Sequence, residues 1–390
     1  MTKPAPHEAK ITQWLASQQE AMLAMLRDAV NTDSGSYDKA GVDAVGQLFI
    51  DFFEQHGLVT IREAHERFGD AIHIRLDDTR TNEKPILLMG HRDTVFPKGE
   101  AARRPFRIAD GRAYGPGVCD MKGGLVINAF VLAAFKRFGG SPAPLTGLIT
   151  SDEEIASPSS RPIIERMARQ VRCVFNSEPG RPSGAVVTGR KGGVFLSFEV
   201  FGKAAHSGGN FEKGISAIGE LAHKVVAMHA LTDLARGVTV NIGTIKGGQS
   251  VNTTAPLAEG QIDLRYIKPQ DRATALAALQ EIIDRATVPG TTAKLDISGE
   301  FLPLNATPAS EELFATYQAA AADAGLEIAG EFTGGCADSG FTAAVGCPTL
   351  CATGPVGANA HTPEEYMDVA SLVPRAQALA LAILRLPATA

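Results

Sequence analysis

The chain predicts an α/β fold with a mixed central sheet, interrupted by an inserted α+β domain of ferredoxin-like order. Three observations carry this. Short apolar runs alternate with helical periodicity in the first part of the chain. A β-α-β-β-α-β succession fills the middle, and the first pattern resumes after it. Strands alternating with helices favour layered α/β packing, and the middle succession is the split βαβ unit.

The elements follow in order. Val42, Val45, Phe49, Phe52 and Phe53 recur at helical spacing, with Gly57 as a stop. Apolar runs at 71–76, 86–89, 145–150 and 173–176 read as strands. A helical stretch opens near Lys122-Gly-Gly and runs to Phe138, where Gly139-Gly140 ends it. In the middle, 194–200, 238–245, 258–266 and 293–298 read as strands, and 215–231 and 273–285 as helices. Gly189-Arg-Lys-Gly-Gly193 stands before this block, and Gly299 and Pro303 close it. The expected division is therefore 1–189 with 301–390 for the larger domain, and 190–300 for the insert. A helix over 311–324, a strand over 348–352 and an Ala/Leu helix over 372–386 complete the larger domain.

Composition bounds the function. The 390 residues suit two domains or three. A 44% apolar and 21% charged content is too apolar for a disordered chain. The formal charge of 37 − 43 = −6 carries no basic footprint for a phosphate backbone, which argues against nucleic-acid partners. No apolar run approaches the roughly 18–20 residues a membrane span needs. The segment Met1-Thr-Lys-Pro-Ala-Pro-His-Glu lacks the apolar core of a signal peptide, so a soluble, cytoplasmic protein is expected. Five cysteines, none at C-x-x-C spacing, argue against a disulfide framework or a structural zinc knot, and read as buried thiols.

Chemistry concentrates at predicted strand ends, where open α/β sheets place their functional crevice. Ile86-Leu-Leu-Met-Gly-His91-Arg-Asp93 delivers a His and an Asp, and Asp93 is a natural acceptor for the second imidazole nitrogen. Gly115-Pro-Gly-Val-Cys-Asp120-Met-Lys-Gly-Gly124 folds glycines around one acid. It matches neither phosphate-loop pattern, and its carboxylate suits a cation better than a phosphate. Ser151-Asp152-Glu153-Glu154 sets three acids at a strand end, a costly arrangement unless a cation neutralises it. If Glu154 ligates metal, Glu153 points elsewhere and stays free as an acid/base. Ser177-Glu178-Pro179 adds a carboxylate, and Asn359-Ala-His361-Thr-Pro-Glu364-Glu365-Tyr366 a second His. Mixed N/O donors of this kind fit a zinc-type divalent centre.

The ordered motifs H-x-D, G-x-x-D-x-K-G-G, D-E-E, S-E-P and a late His resemble the co-catalytic zinc amidohydrolase and exopeptidase family. That family includes bacterial glutamate carboxypeptidase, aminoacylase and succinyl-diaminopimelate desuccinylase. The resemblance runs from about Asn31 to Leu386. It implies a zinc-exopeptidase-like catalytic domain, with the insert serving as a lid or dimerisation domain. It implies two divalent ions, zinc by resemblance, with cobalt or manganese fitting similar donors. His91 and Glu178 would hold one ion, Glu154 and His361 the other, and Asp120 would bridge them. Glu153 would be the general base for a two-metal-activated water, and Asp93 would orient His91. In the insert, His206 of Gly202-Lys-Ala-Ala-His206-Ser-Gly would steady the oxyanion across a homodimer. Asn252 and Arg265 would hold the substrate, Arg265 as a clamp for a free α-carboxylate. Lys191 either lines the same entrance or marks a hinge, and Asp338 would sit beside the metals without ligating them.

One departure stands out. Ile155-Ala-Ser-Pro-Ser-Ser replaces the Gly-Ser-x-Gly pattern that often follows the acid triplet, and it borders the substrate. The expected activity is hydrolysis of an amide bond in a small peptide, releasing an amino acid with a free α-carboxylate, as in a glutamate carboxypeptidase. Hydrolysis of an N-acyl amino acid of the aminoacylase or desuccinylase type is the alternative, and a non-catalytic metal-binding scaffold a remote one.

Overall fold

The computed structural model describes residues 6–76 and 83–387. Residues 1–5 of the N-terminal segment read above lie outside the described residues, as do 77–82 and 388–390 of the segments expected for the larger domain. The chain divides into two units. One comprises Met1–Gly189, Leu304–Thr333 and Ala337–Ala390, and the other Arg190–Pro303 with Gly334–Cys336.

The larger unit is built on an eight-stranded mixed sheet. Its spatial order is Val59–Glu63, Ala71–Arg75, Leu145–Thr150, Ile86–His91, Cys173–Asn176, Thr349–Cys351, Val186–Arg190 and Gly330–Thr333. Its middle is parallel: Ile86–His91 pairs in parallel with both Leu145–Thr150 and Cys173–Asn176, and Thr349–Cys351 with Cys173–Asn176. Strands enclosed on both faces read as unbroken apolar runs, and Ile86–His91 is buried at every position. The edge strand Val59–Glu63 is polar, largely exposed and not evident in the sequence, because it lacks that apolar signature.

Helices Pro6–Ala16, Gln19–Val30, Lys39–Gln55, Gly123–Phe138, Pro308–Asp323 and Val369–Arg385 share one core with this sheet, through residues such as Ile11, Leu26, Phe49, Phe135, Tyr317 and Leu379. The stretch Val118–Phe138 corrects one expectation, since it is long and apolar enough by composition to cross a membrane. It is nevertheless almost wholly buried within the unit, every residue from Gly123 to Phe135 being enclosed. A helix apolar all round is what a core helix requires.

A second, four-stranded sheet lies in the same unit, ordered Gly357–Ala358, Tyr366–Asp368, Arg112–Tyr114 and Arg107–Ala109. Its strands have two or three residues each, too short for a periodic signal in the sequence. Its register places Tyr366 opposite Tyr114. The loop before Tyr366 and the loop after Tyr114 are thereby brought together.

The second unit is a four-stranded antiparallel sheet ordered Thr239–Gly247, Leu257–Tyr266, Gly192–Phe201 and Thr292–Phe301, with helices Ala217–His229 and Pro269–Asp284. Numbered within the unit, the strand order is 2-3-1-4, the ferredoxin-like arrangement. Val194, Leu196, Phe198 and Val200 point inward at alternate positions and meet Leu221, Met228, Leu279 and Ile283 of the helices. Gly334–Cys336 groups with this unit although it falls far along the chain. Arg190 Nη1 donates to Gly335 O and Cys336 O, both at 3.2 Å.

An ion pair ties the two helices of this unit. Lys224 Nζ is buried 2.9 Å from Glu220 Oε1 and donates to the carbonyls of Ile282, Ile283 and Arg285 at 2.7, 3.0 and 2.8 Å. Those carbonyls end helix Pro269–Asp284 and have no further turn to bond them. Glu220 Oε2 accepts from the backbone N–H groups of Thr287 and Val288. Removing one partner strands a buried charge, so Lys224→Met should lower the unfolding free energy of this unit by about 3–5 kcal/mol in denaturant titrations. Burial works against the Glu220 carboxylate, but its bonds to Val288 and Lys224 prevail and hold its pKa below the ordinary 4.5. Its contribution is therefore present above that value and is lost as pH falls through the folded-state pKa. The wild-type acid limb should be steeper than that of Lys224→Met.

Candidate metal centre

Parallel register assembles the centre. His91 is the last residue of its strand and stands opposite Thr150, while Met89 stands opposite Asn176. Three adjacent strands thus end together, delivering His91, then Glu153 and Glu154 through a short turn, then Glu178. Asp120 arrives from the loop ahead of helix Gly123–Phe138. That helix approaches the Glu178 segment closely, and a Cβ on Gly124 would meet Ser177 O at 1.8 Å, which is why no side chain fits there. His361 comes from the loop between Gly357–Ala358 and Tyr366–Asp368.

The two histidines flank Asp120. His91 Nε2 lies 3.2 Å from Asp120 Oδ1, and His361 Nε2 lies 3.4 Å from Asp120 Oδ2. His361 Nε2 is also 3.0 Å from Glu154 Oε2. His91 Nε2 is 3.8 Å from both Glu153 Oε2 and Glu178 Oε1. Ligand atoms of His91, Glu153 and Glu178 fall within 4.8 Å of one another, as do those of His91, Asp120 and Glu154. Glu153 is therefore as near to His91 as Glu178 is, and distance does not separate base from ligand. Apart from the half-exposed His361, these side chains are buried or nearly so.

Asp93 does not face the cluster but holds it. Its Oδ1 lies 3.3 Å from His91 Nδ1, and its backbone oxygen 3.1 Å from the same nitrogen. With Nδ1–H given to Asp93, Nε2 is the nitrogen that faces the carboxylates. The same Asp93 carboxylate accepts from the backbone N–H of Glu153 and of Glu154, each at 3.2 Å, and from Ser36 Oγ at 2.6 Å. Asp338, fully buried, accepts from Thr150 Oγ1 at 3.3 Å and from Ser157 Oγ. In the departing loop Ala156 and Ser157 adopt left-handed φ of 68° and 53°, a conformation glycine takes without cost. The hydroxyl of Ser157 anchors that turn on Asp338.

Glu365 has a place the sequence does not indicate. Its fully buried carboxylate accepts from the backbone N–H of Gly117 at 2.9 Å, Cys119 at 2.9 Å and Asp120 at 3.0 Å. The sequence signal is its position four residues after His361, and its meaning depends on the pairing of two strands far apart in the chain, Tyr366 standing opposite Tyr114. Lys122 is likewise buried, with Nζ donating to Ala29 O at 3.0 Å and Thr32 O at 3.1 Å, where it closes helix Gln19–Val30.

Electrostatics set the chemical character of the site. Burial first, then the neighbouring Asp120 carboxylate, pushes Glu154 up to about 7. Burial together with Glu178, Asp338 and Glu154 drives Glu153 well above the carboxylate range, against the pull of His91. Burial disfavours the charged His91, but Glu153, Asp120, Asp93 and Glu178 outweigh it and raise the imidazole well above its ordinary value. His361, bonded to Asp120 and Glu154, rises to about 10. This is the signature of excess negative charge. Two imidazoles and four carboxylates converging on one space form a mixed N/O donor set, which fits one or more divalent ions and relieves that repulsion.

The other residues singled out from the sequence lie in the inserted unit. His206 and Asn252 are exposed and adjacent: His206 bridges Thr253, and Ser207 N donates to Asn252 O at 3.0 Å. Arg265 is already engaged. Its Nε and Nη2 donate to Asp263 at 2.6 and 3.1 Å, and its Nη1 to Cys336 Sγ at 2.7 Å. Lys191 Nζ donates to Gly237 O at 2.7 Å. Among the cysteines, Cys336 is half-buried, and Cys119, Cys173, Cys347 and Cys351 are buried free thiols.

With this geometry in place, the relatives are informative. The model of peptidase family M20/M25/M40 matches residues 87–385. Carboxypeptidase G2 of Pseudomonas sp. (strain RS-16) is 29% identical over 367 residues, covering 92% of this chain and 87% of that protein. Acetylornithine deacetylase of Pasteurella multocida is 33% identical over 212 residues, half of this chain and 53% of that protein. An M20 family metallo-carboxypeptidase from Sulfolobus solfataricus shares the fold with a TM-score of 0.78 at 18% identity, over 93% of this chain and 98% of that one. An aminopeptidase PepT from Bacillus cereus superposes with a TM-score of 0.74 at 21% identity, over 94% and 98% of the two chains.

The support given by Asp93 is testable. Asp93→Ala removes the acceptor for two buried peptide N–H groups and leaves His91 Nδ1 with the Asp93 backbone oxygen alone. Zinc affinity, measured by chelator competition, should fall about 10–100-fold. An unchanged affinity would show that His91 and the Glu153–Glu154 turn keep their places without it.

Proposed function

This chain belongs to peptidase family M20/M25/M40 and is a metal-dependent hydrolase of peptide or amide bonds; on that premise we propose that it releases an amino acid with a free α-carboxylate, in the manner of a glutamate carboxypeptidase. The observation that carries this reading is the arrangement of Arg265. Asp263 holds its guanidinium through Nε and Nη2, and Nη1 donates to a thiol, a weak acceptor that a carboxylate displaces. The likeness to carboxypeptidase G2 along most of both chains points the same way.

In this reading His91, Asp120, Glu154, Glu178 and His361 hold two divalent ions, zinc in the first instance. When bound, such ions polarise the scissile carbonyl and make a water acidic. Glu153 takes a proton from the water as its oxygen attacks the carbonyl carbon. As the C–N bond breaks, Glu153 returns a proton to the leaving nitrogen. Its Oε2 lies 3.8 Å from His91 Nε2, beside the donors that face the same space. His206 steadies the developing oxyanion across a homodimer and Asn252 holds substrate. Sedimentation at twice the 41.0 kDa chain mass checks the assembly. A cytoplasmic location belongs to the same proposal.

A second reading, hydrolysis of an N-acyl amino acid, is favoured by the likeness to acetylornithine deacetylase and offers Arg265 the same carboxylate. A panel of C-terminal-Glu dipeptides and N-acyl amino acids, each as free acid and as amide, separates the two, run with zinc-loaded and chelated protein. Cleavage by the loaded form alone, restricted to free acids, is the expected outcome, and the best substrate decides between peptide and acyl amide. No cleavage of any member would leave the remote reading, a non-catalytic metal-binding scaffold.

Two substitutions sharpen the test. Glu153→Gln should lower kcat about 10²–10⁴-fold with zinc content unchanged, and wild-type turnover would remove Glu153 as the base. Arg265→Ala should raise KM for free acids and erase their advantage over the amides. A preserved preference would refute the clamp.

A further inference from the structure

We propose that Glu365 is a positioning residue that sets Asp120 against His361 and so fixes the spacing of two ligands from distant parts of the chain. This rests on the metal-centre reading above and adds a residue to it. Asp120 and His361 belong to separate loops with no local sequence relation. Their side chains meet at 3.4 Å, and Glu365 is the carboxylate that reaches from one loop to the other.

The geometry is specific. Asp120 follows a loop in which Gly117 has a left-handed φ of 73° and Asp120 itself has non-helical φ and ψ of −110° and 97°. Within this stretch Val118 N bonds Gly115 O and Lys122 N bonds Gly117 O, while the buried N–H groups of Gly117, Cys119 and Asp120 need acceptors from elsewhere. Glu365 supplies them: Oε2 takes the Gly117 N–H, and Oε1 takes those of Cys119 and Asp120. Glu365 is in turn fixed by the chain that follows it, since Tyr366 pairs with Tyr114 at the base of the Asp120 loop. The His361 side of the same loop is held separately. Arg104 Nη1 donates to Pro363 O at 2.9 Å and Thr362 O at 3.5 Å, and its guanidinium lies 4.7 Å above the Phe96 ring. His361 and Asn359 themselves have left-handed φ of 66° and 59°; within the loop Thr362 N and Oγ1 donate to Asn359 O and Glu365 N to Thr362 O, and the contacts above tie it to its surroundings. One buried carboxylate thus joins two irregular loops at the point where each presents a ligand.

The alternative role is a fold clamp without bearing on the ligands, and metal binding separates the two. Glu365→Gln keeps the shape but turns an NH₂ toward N–H groups that point at it, so at least one loses its acceptor. Glu365→Asp keeps the charge and shortens the reach. The full chain is stripped of metal. Zinc affinity is then measured by competition with a chromophoric chelator, the cobalt(II) d–d spectrum is recorded, and melting of the metal-free protein is followed by circular dichroism. We expect Glu365→Gln to bind zinc about 10–100-fold more weakly with an altered cobalt spectrum. Melting of the metal-free protein should fall only by the loss of a buried acceptor, leaving it folded, and Glu365→Asp should fall in between. Wild-type zinc affinity and cobalt spectrum in a folded Glu365→Gln would overturn the proposal and leave the metal-centre reading intact. If Glu365→Gln does not fold, Glu365→Asp decides on the same readouts. Failure of both to fold would overturn the positioning role in favour of a fold clamp. A wild-type protein that binds neither zinc nor cobalt would overturn the metal-centre reading itself, and this proposal with it.

Discussion

Repulsion among carboxylates is the constraint on which the rest of the larger unit depends. Asp120, Glu153, Glu154 and Glu178 are brought within a few ångströms of two imidazoles, and of these groups His361 alone is half-exposed. Left to themselves, these groups would move apart or take up protons. The sheet prevents the first by ending three parallel strands side by side, which gives the acids no freedom along the strand direction. Two further carboxylates prevent it where the backbone is irregular. Asp93 receives the peptide N–H groups of the Glu153–Glu154 turn, and Glu365 those of the Asp120 loop. In both places a negative charge that does not face the centre holds in place one that does.

The inserted unit shows another way of keeping a charge in the interior. Glu220 and Lys224 form a buried pair whose other bonds go to helix-end carbonyls and loop N–H groups. Arg92 in the larger unit is treated alike. It is completely enclosed, and its guanidinium donates to Val42 O, Ile149 O, Thr150 O, Asp70 O and Asp43. Burying the middle residue of the H-x-D motif in this way locks the strand end between His91 and Asp93. Charge is confined in these places by bonds to the backbone, whereas at the centre carboxylates and imidazoles face one another.

Most of what the sequence discloses concerns residues whose role is set by their own neighbours in the chain. Strand-end acids and histidines are visible because an apolar run precedes them, and the inserted βαββαβ succession is visible because each strand alternates. What escapes is decided by distant pairing. The short strands at Arg112–Tyr114 and Tyr366–Asp368 have no periodicity, yet they bring Glu365 under Asp120. Gly334–Cys336 joins the inserted unit because Arg190 and Arg265 reach it. Arg265 itself is legible as a cation, but its engagement by Asp263 two residues earlier becomes evident only when both side chains are seen on one face of the strand.

The order of strands in the large sheet bears on how the chain comes to be built. Thr349–Cys351 lies inside the sheet, between Cys173–Asn176 and Val186–Arg190, although about 160 to 170 residues of chain separate it from them. A nascent chain emerging from its N-terminus therefore carries a sheet with a gap, three acid-bearing segments already present, and no partner for the exposed edges. The inserted unit is almost continuous in sequence and can close its own core in the meantime. The strand that fills the gap ends ten residues before His361. Completion of the sheet and arrival of the last candidate ligand are thus nearly one event, late in synthesis, and a chain truncated before it would expose edges prone to aggregation.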